Sequence, residues 1–290
     1  MSVPRKHHYV PKFLIEQWAN KDGSVAPYLR TPLGEIVQEK GKGAKAFCCE
    51  LDLFTLQMKE PKLKQQIESG WFSRIDSDAA KIHAKLVQDA DVLLSDTDKC
   101  AWMRFVCSLL IRQPSLVRQT RQKIPQNYRD GLNQDWELID ALKQAGINQT
   151  PAEFAEAEQV DRFENRAMIL LAHMCDNPKE MAKFAAMQWC YGDLKDAGLE
   201  LVLSDRPVIK ILTDPRTPSL LTLPLSPTRI WFAACNRETL ENIKALPPRD
   251  LVERVNHESV RQATKWVFDR DGHNLRSIQK HLKAPPRATA

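Results

Sequence analysis

The sequence predicts an α+β fold: a helical central region, a small N-terminal hairpin, and an antiparallel sheet formed mainly by the second half. Three observations predict it. Apolar residues recur every three or four positions through the middle of the chain. From about residue 185, short apolar runs punctuated by Pro207, Pro215, Pro218, Pro224 and Pro227 take over. Near the N-terminus, two strand-like runs flank a tight Pro-Gly loop.

Taken in order, Pro11 to Ala19 reads as a short helix with Phe13, Leu14 and Trp18 as its apolar face, stopped by the turn residues Asn20 to Gly23. Val25 to Arg30 and Glu35 to Glu39 read as the hairpin strands around Thr31-Pro-Leu-Gly34. Residues 60–94 read as one long helix, with Ile67, Trp71, Ile75, Ala79, Ile82 and Leu86 in a single stripe interrupted by Gly70. A helix at 98–112 is apolar nearly all round and belongs in the core, with Pro114 marking its end. A polar stretch, 121–135, separates it from a helix at 135–145. Thr150 and Pro151 then open another, to about 176. Strands are expected at Ala185 to Gly192, Glu200 to Ser204, Val208 to Thr213, Ser219 to Leu223 and Arg229 to Cys235, before helices at 237–245 and 249–268. The organisation expected is one domain over 1–283, subdivided at 59 and 184, with a disordered tail at 284–290.

Composition excludes several classes. No run approaches the roughly 18–20 apolar residues of a membrane helix, and the basic start lacks the apolar segment of a secretory signal. The seven cysteines are odd in number and form no Cys-x-x-Cys pair, which argues against a disulfide framework or a zinc ribbon. A reducing, cytoplasmic setting follows as the expectation. The net charge of +5 is concentrated at the ends: residues 1–45 carry eight Lys/Arg against four Asp/Glu, and residues 261–290 seven against two. If the two ends meet, they form a basic surface able to attract nucleic acid or another phosphate-rich ligand. Oligomeric state is not legible.

The opening Lys6-His7-His8-Tyr9-Val10-Pro11-Lys12-Phe13-Leu14, followed by Trp18-Ala19 and Asp22-Gly23, is dense in side chains that carry chemistry. Together with Ile111-Arg112-Gln113-Pro114, Leu203-Ser204-Asp205-Arg206-Pro207-Val208 and Leu223-Pro224-Leu225-Ser226-Pro227, it resembles the microbial family catalogued as domain of unknown function 4238. The resemblance runs over nearly the whole chain. It implies a shared fold and a shared polar site, and it carries no reaction. Two positions depart from the family's pattern: Lys12 stands where Gln is usual, and Arg206 where Asn is usual.

Two functional readings follow. In the first, the protein is a metal-assisted hydrolase of phosphodiester bonds. His7 or His8 would activate water or bind a divalent metal, and Asp205 would act as base or ligand with Glu68 or Asp76 completing the metal set. Arg112, with Tyr9 and Ser204, would hold the phosphate. In the second, the protein binds a partner or ligand without catalysis, and the His-His-Tyr-Val-Pro motif is a structural clasp fixing the N-terminal segment beside the strand that ends at Asp205. Adjacent His7 and His8 point to opposite faces of an extended segment, so the two need a backbone turn to share one ion. Ser204-Asp205 before Pro207 is also a common turn composition. Asp76 and His83 share a helix face two turns apart, and His83 reads as a solvated helix edge.

Overall fold

The computed structural model describes residues 5–279, apart from 59, 90–91, 158–162, 215–216, 271, 273 and 275–277. The tail expected at 284–290 lies outside the described residues. The fold is α+β, with antiparallel strands mainly in the second half. Two compact units are formed from alternating pieces of chain. One comprises the described residues of Met1–His7, Glu50–Arg74 and Ile111–Asn177; the other comprises the described residues of His8–Cys49, Ile75–Leu110 and Pro178–Ala290.

The first unit is helical. Helix Pro114–Gln134 occupies the polar stretch for which no helix was expected. Its apolar pattern is sparse, and neighbours supply what periodicity does not show. Val117 and Pro125 are buried. The Tyr128 ring meets Phe163 of helix Phe163–Met174 edge-on at 4.9 Å, and the Arg166 guanidinium lies 4.1 Å from the Tyr128 ring centre. Pro114 follows helix Asp96–Ile111 and also opens this one, at the first-turn position where its missing N–H is not needed. Asp135 caps helix Trp136–Gln144 by accepting the N–H groups of Glu137 and Leu138 at 3.1 and 3.3 Å.

The long helix expected at 60–94 is broken. A short turn at Pro61–Lys64 precedes a π-helical turn at Ile67–Phe72, and the α-helix proper is Ser73–Gln88. The wide turn contains Gly70 and adds a residue to the local repeat. The apolar stripe therefore shifts: Phe72 is 2% exposed and takes the buried place expected for Trp71, while Ile75, Ala79, Ile82 and Leu86 stay in line.

The second unit contains two four-stranded antiparallel sheets. One runs Ile36–Gln38, Ala26–Arg30, Trp266–Asp269, Leu203–Ser204. The other runs Gln188–Asp193, Arg229–Ala234, Thr217–Ser226, Ile209–Asp214. The N-terminal hairpin expected from sequence thus forms the outer half of the first sheet. Helix Pro248–Gln262 is shorter than expected, because the segment with Trp266, Val267 and Phe268 is a central strand. Aromatic and β-branched residues suit a strand, and Asp205 enforces the change, as described below. Trp18, Trp102, Phe105, Trp231 and Phe268 are fully buried in this unit. The Trp18 indole N–H donates to the Leu201 carbonyl at 2.7 Å, which satisfies the one polar atom of a buried ring. Among the described residues, no helix is long and apolar enough to cross a membrane. The seven cysteines are free thiols.

Candidate functional site

The His-His-Tyr-Val-Pro motif begins in strand Lys6–His8, which pairs with Cys49–Leu51 in a two-stranded sheet. Extended backbone turns the two histidines to different surroundings, as alternation requires. His7 belongs to the first unit and is fully buried. Its Nδ1 accepts the backbone N–H of Phe54 at 2.9 Å, and its ring stacks on the Phe54 ring at 5.6 Å with planes 2° apart. An accepting Nδ1 places the proton of the neutral ring on Nε2. Nearby, the Arg5 Nε donates to the Asp52 carboxylate at 2.9 Å, and this pairing holds the Asp52 carboxyl down at about 2. Asp52 itself adopts φ 55°, a left-handed conformation uncommon outside glycine.

His8 belongs to the second unit and is half-buried, with Nε2 3.4 Å from the Lys45 carbonyl oxygen. Tyr9, 5% exposed, donates its backbone N–H to the Cys48 carbonyl at 2.9 Å. Its side chain also hydrogen-bonds the Cys48 thiol. Cys48 is 1% exposed and sits at φ 49°. Burial pushes its thiol well above the usual range, and the carboxylate of Asp205 adds to the effect. Cys48, which the sequence did not single out, thus hydrogen-bonds Tyr9 and lies within electrostatic reach of Asp205, two residues singled out separately from sequence.

Asp205 shows why the strand ends where it does. It is 1% exposed. Its Oδ1 accepts the Thr264 N–H at 2.8 Å, and its Oδ2 accepts the Lys265 N–H at 2.7 Å. Its own N–H donates to the Trp266 carbonyl at 2.9 Å. The carboxylate takes two amides that a continuing helix would have turned back on itself, so the helix stops at Gln262 and a strand begins. Arg30 closes the same corner by donating Nη2 to the Val260 carbonyl at 2.9 Å. The preceding Ser204, also 1% exposed, donates its hydroxyl to the Arg206 carbonyl at 2.9 Å. Burial pushes the Asp205 carboxyl up to about 6, with the Thr264 and Lys265 amides pulling the other way.

The remaining predicted residues are dispersed through the two units. Glu68 lies in the π-helical turn of the first unit, half-buried. Asp76 lies in the first turn of helix Ser73–Gln88 in the second, half-buried. Arg112, 1% exposed, places its guanidinium 5.2 Å from the centre of the Phe72 ring in the first unit. Among the described residues, no three His, Cys, Asp or Glu side chains are grouped so as to hold a metal ion.

His83 corrects its sequence reading. It is 3% exposed, not a solvated edge. Its Nε2 lies 2.8 Å from the carbonyl oxygen of Leu225, and the rings of Phe13 and Trp102 pack against it. Burial lowers its pKa to about 4, so the ring is neutral and Nε2 is the donor. The acceptor belongs to the Leu-Pro-Leu-Ser-Pro segment, which explains that motif as the receiving end of a buried histidine.

Comparison with family models decides the relationship. The model described as protein of unknown function (DUF4238) matches residues 6–273. The chain belongs to the DUF4238 family. No curated protein and no solved structure matches the chain. The DUF4238 match begins at the first residue of the His-His-Tyr-Val-Pro strand. It spans the Tyr9, Cys48 and Asp205 cluster, the Thr264–Lys265 amides and the His83 contact.

Proposed function

We propose that this DUF4238 protein acts by binding, without catalysis, and that the His-His-Tyr-Val-Pro and Ser-Asp-Arg-Pro motifs form a structural clasp. The observation that carries this reading is the state of Asp205. A metal ligand or general base needs an oxygen lone pair that can face substrate or ion in a cleft. Both Asp205 oxygens accept backbone amides, in a site 1% exposed. The buried Cys48 thiol, hydrogen-bonded by Tyr9, is close enough to feel the Asp205 charge. Such an arrangement suits a group that fixes chain direction: it holds the segment carrying Tyr9 beside the strand carrying Ser204 and sets the start of the strand carrying Trp266. Each oxygen keeps a second lone pair, but at 1% exposure that lone pair has no open path to water, substrate or ion, so a hydrolytic reading would require this corner of the fold to open.

The test is a gel assay of the purified protein on DNA and RNA with Mg²⁺ or Mn²⁺, beside thermal melts of Asp205→Ala and His7→Ala. The clasp predicts no cleavage by wild type and lowered melting temperatures in both variants. Wild-type cleavage that disappears in a variant melting normally would replace this reading with the hydrolase.

A further inference from the structure

The second unit holds a cavity of about 500 Å³ that none of the motifs touches. Its walls are the segment before helix Asp96–Ile111, the first two turns of that helix, helix Pro178–Ala185 and strand Gln188–Asp193. Met103, Met181, Met187, Trp189 and Tyr191 give it a soft, polarisable lining. Methionine is flexible enough to fit many apolar shapes, and this volume lies in the range of cavities that enclose a small organic ligand.

Three features set the chemistry of the occupant. Leu93 stands at the cavity 96% exposed, an apolar side chain with no cover, next to Leu94 at 8%. The Tyr191 hydroxyl remains a proton donor, because burial pushes its pKa up to about 12. Lys99 is the cation of the lining. Its ammonium lies 3.9 Å from the Asp96 carboxylate, at the outer limit of an ion pair, and Asp96 is itself wholly exposed to water. A pair so open is screened and leaves the ammonium able to take another anion.

We infer that this cavity is a binding site for a small amphiphilic carboxylate, its apolar body among the methionines and aromatic rings and its acid group at Lys99. The inference stands apart from the clasp, with which the cavity shares no residue, so either can fail alone.

The experiment uses the full chain, anilinonaphthalene sulfonate as fluorescent probe, and dodecanoate and dodecanol as competitors below their aggregation concentrations. Two variants are compared: Ala185→Trp, which places a ring in the cavity from an exposed wall position, and Lys99→Glu. Saturable probe binding at one site per chain is expected, displaced by dodecanoate. Ala185→Trp should weaken dodecanoate binding by about tenfold or more at unchanged melting temperature. Lys99→Glu should weaken dodecanoate about tenfold and leave dodecanol unaltered. Unsaturable probe binding, equal dodecanoate affinity in Ala185→Trp, or dodecanol binding wild type as tightly as dodecanoate would each overturn the proposal.

Discussion

His7 holds Phe54 twice: its Nδ1 accepts the Phe54 backbone N–H at 2.9 Å, and the two rings lie parallel at 5.6 Å. The two contacts separate under substitution. His7→Phe keeps a ring for stacking and leaves the Phe54 N–H buried without its acceptor, at an expected loss of about 1–3 kcal/mol. His7→Asn keeps an acceptor oxygen near the same place and gives up the stacking. Chemical denaturation of both variants checks the assignment. If the hydrogen bond is the main contribution, His7→Asn is the milder change; the reverse order would assign the role of His7 to its ring.

Asn256 offers a second separable contact. Its Oδ1 accepts the Val202 N–H at 2.9 Å, and its Nδ2 donates to the Glu200 carbonyl at 2.8 Å. One side-chain amide thus stands in for a strand neighbour on the segment leading into Leu203–Ser204. Asn256→Ala leaves both backbone groups unsatisfied and should cost about 2 kcal/mol or more, and Asn256→Asp, which keeps the acceptor but turns a buried carboxylate oxygen toward the Glu200 carbonyl, should cost at least as much. A much smaller loss in Asn256→Asp than in Asn256→Ala, measured by denaturant unfolding, would show that the acceptor half carries the interaction.

These contacts explain what the sequence could disclose and what it could not. The hairpin strands, the strands of the second half and the core position of Trp102 follow from local period and punctuation, and the structure bears them out. Three features do not follow from local pattern. Helix Pro114–Gln134 is stabilised by Phe163 and Arg166, which lie more than thirty positions beyond the Tyr128 they touch. Trp266 continues an apparent helical stripe, and only the amides captured by Asp205 divert it into a strand. His83 sits at a helical position that periodicity marks as an edge, yet its burial is decided by Phe13, Trp102 and the Leu225 carbonyl. At the motifs, residue types drew attention to Tyr9 and Asp205. Cys48, which bonds Tyr9 and feels the Asp205 charge, carried no spacing signal because a buried thiol reads like any small core residue.

The His83 contact predicts acid sensitivity. Burial depresses its folded pKa from 6.5 to about 4. A depressed histidine contributes stability above its unfolded pKa, and that contribution is lost as pH falls through the folded value. His83→Gln retains an N–H donor for Leu225 and cannot titrate. Melting temperatures measured from about pH 7 down to about pH 4 should therefore fall more steeply for wild type than for His83→Gln. Parallel curves would show that His83 is not held neutral by its surroundings.

Asp205 should act with the opposite sign over an overlapping window. Burial raises its folded pKa from 3.8 to about 6, so between those values the folded protein binds more protons than the unfolded chain. Its contribution is fully present below the unfolded pKa and is lost as pH rises through the folded one. Asn resembles the neutral acid in shape but turns an NH₂ toward one of the two amides, so Asp205→Asn should be destabilised by about 1–3 kcal/mol at low pH. As pH rises, wild type acquires the penalty of a buried charge that the variant never bears, and the gap should narrow from about pH 4 to about pH 7. In the double variant with His83→Gln both of these slopes disappear, and the remaining pH dependence belongs to other groups, among them the buried His7 and the exposed Arg5–Asp52 pair. A gap between wild type and Asp205→Asn that stays constant with pH would mean that the carboxylate is charged throughout, with the Thr264 and Lys265 amides fully offsetting its burial.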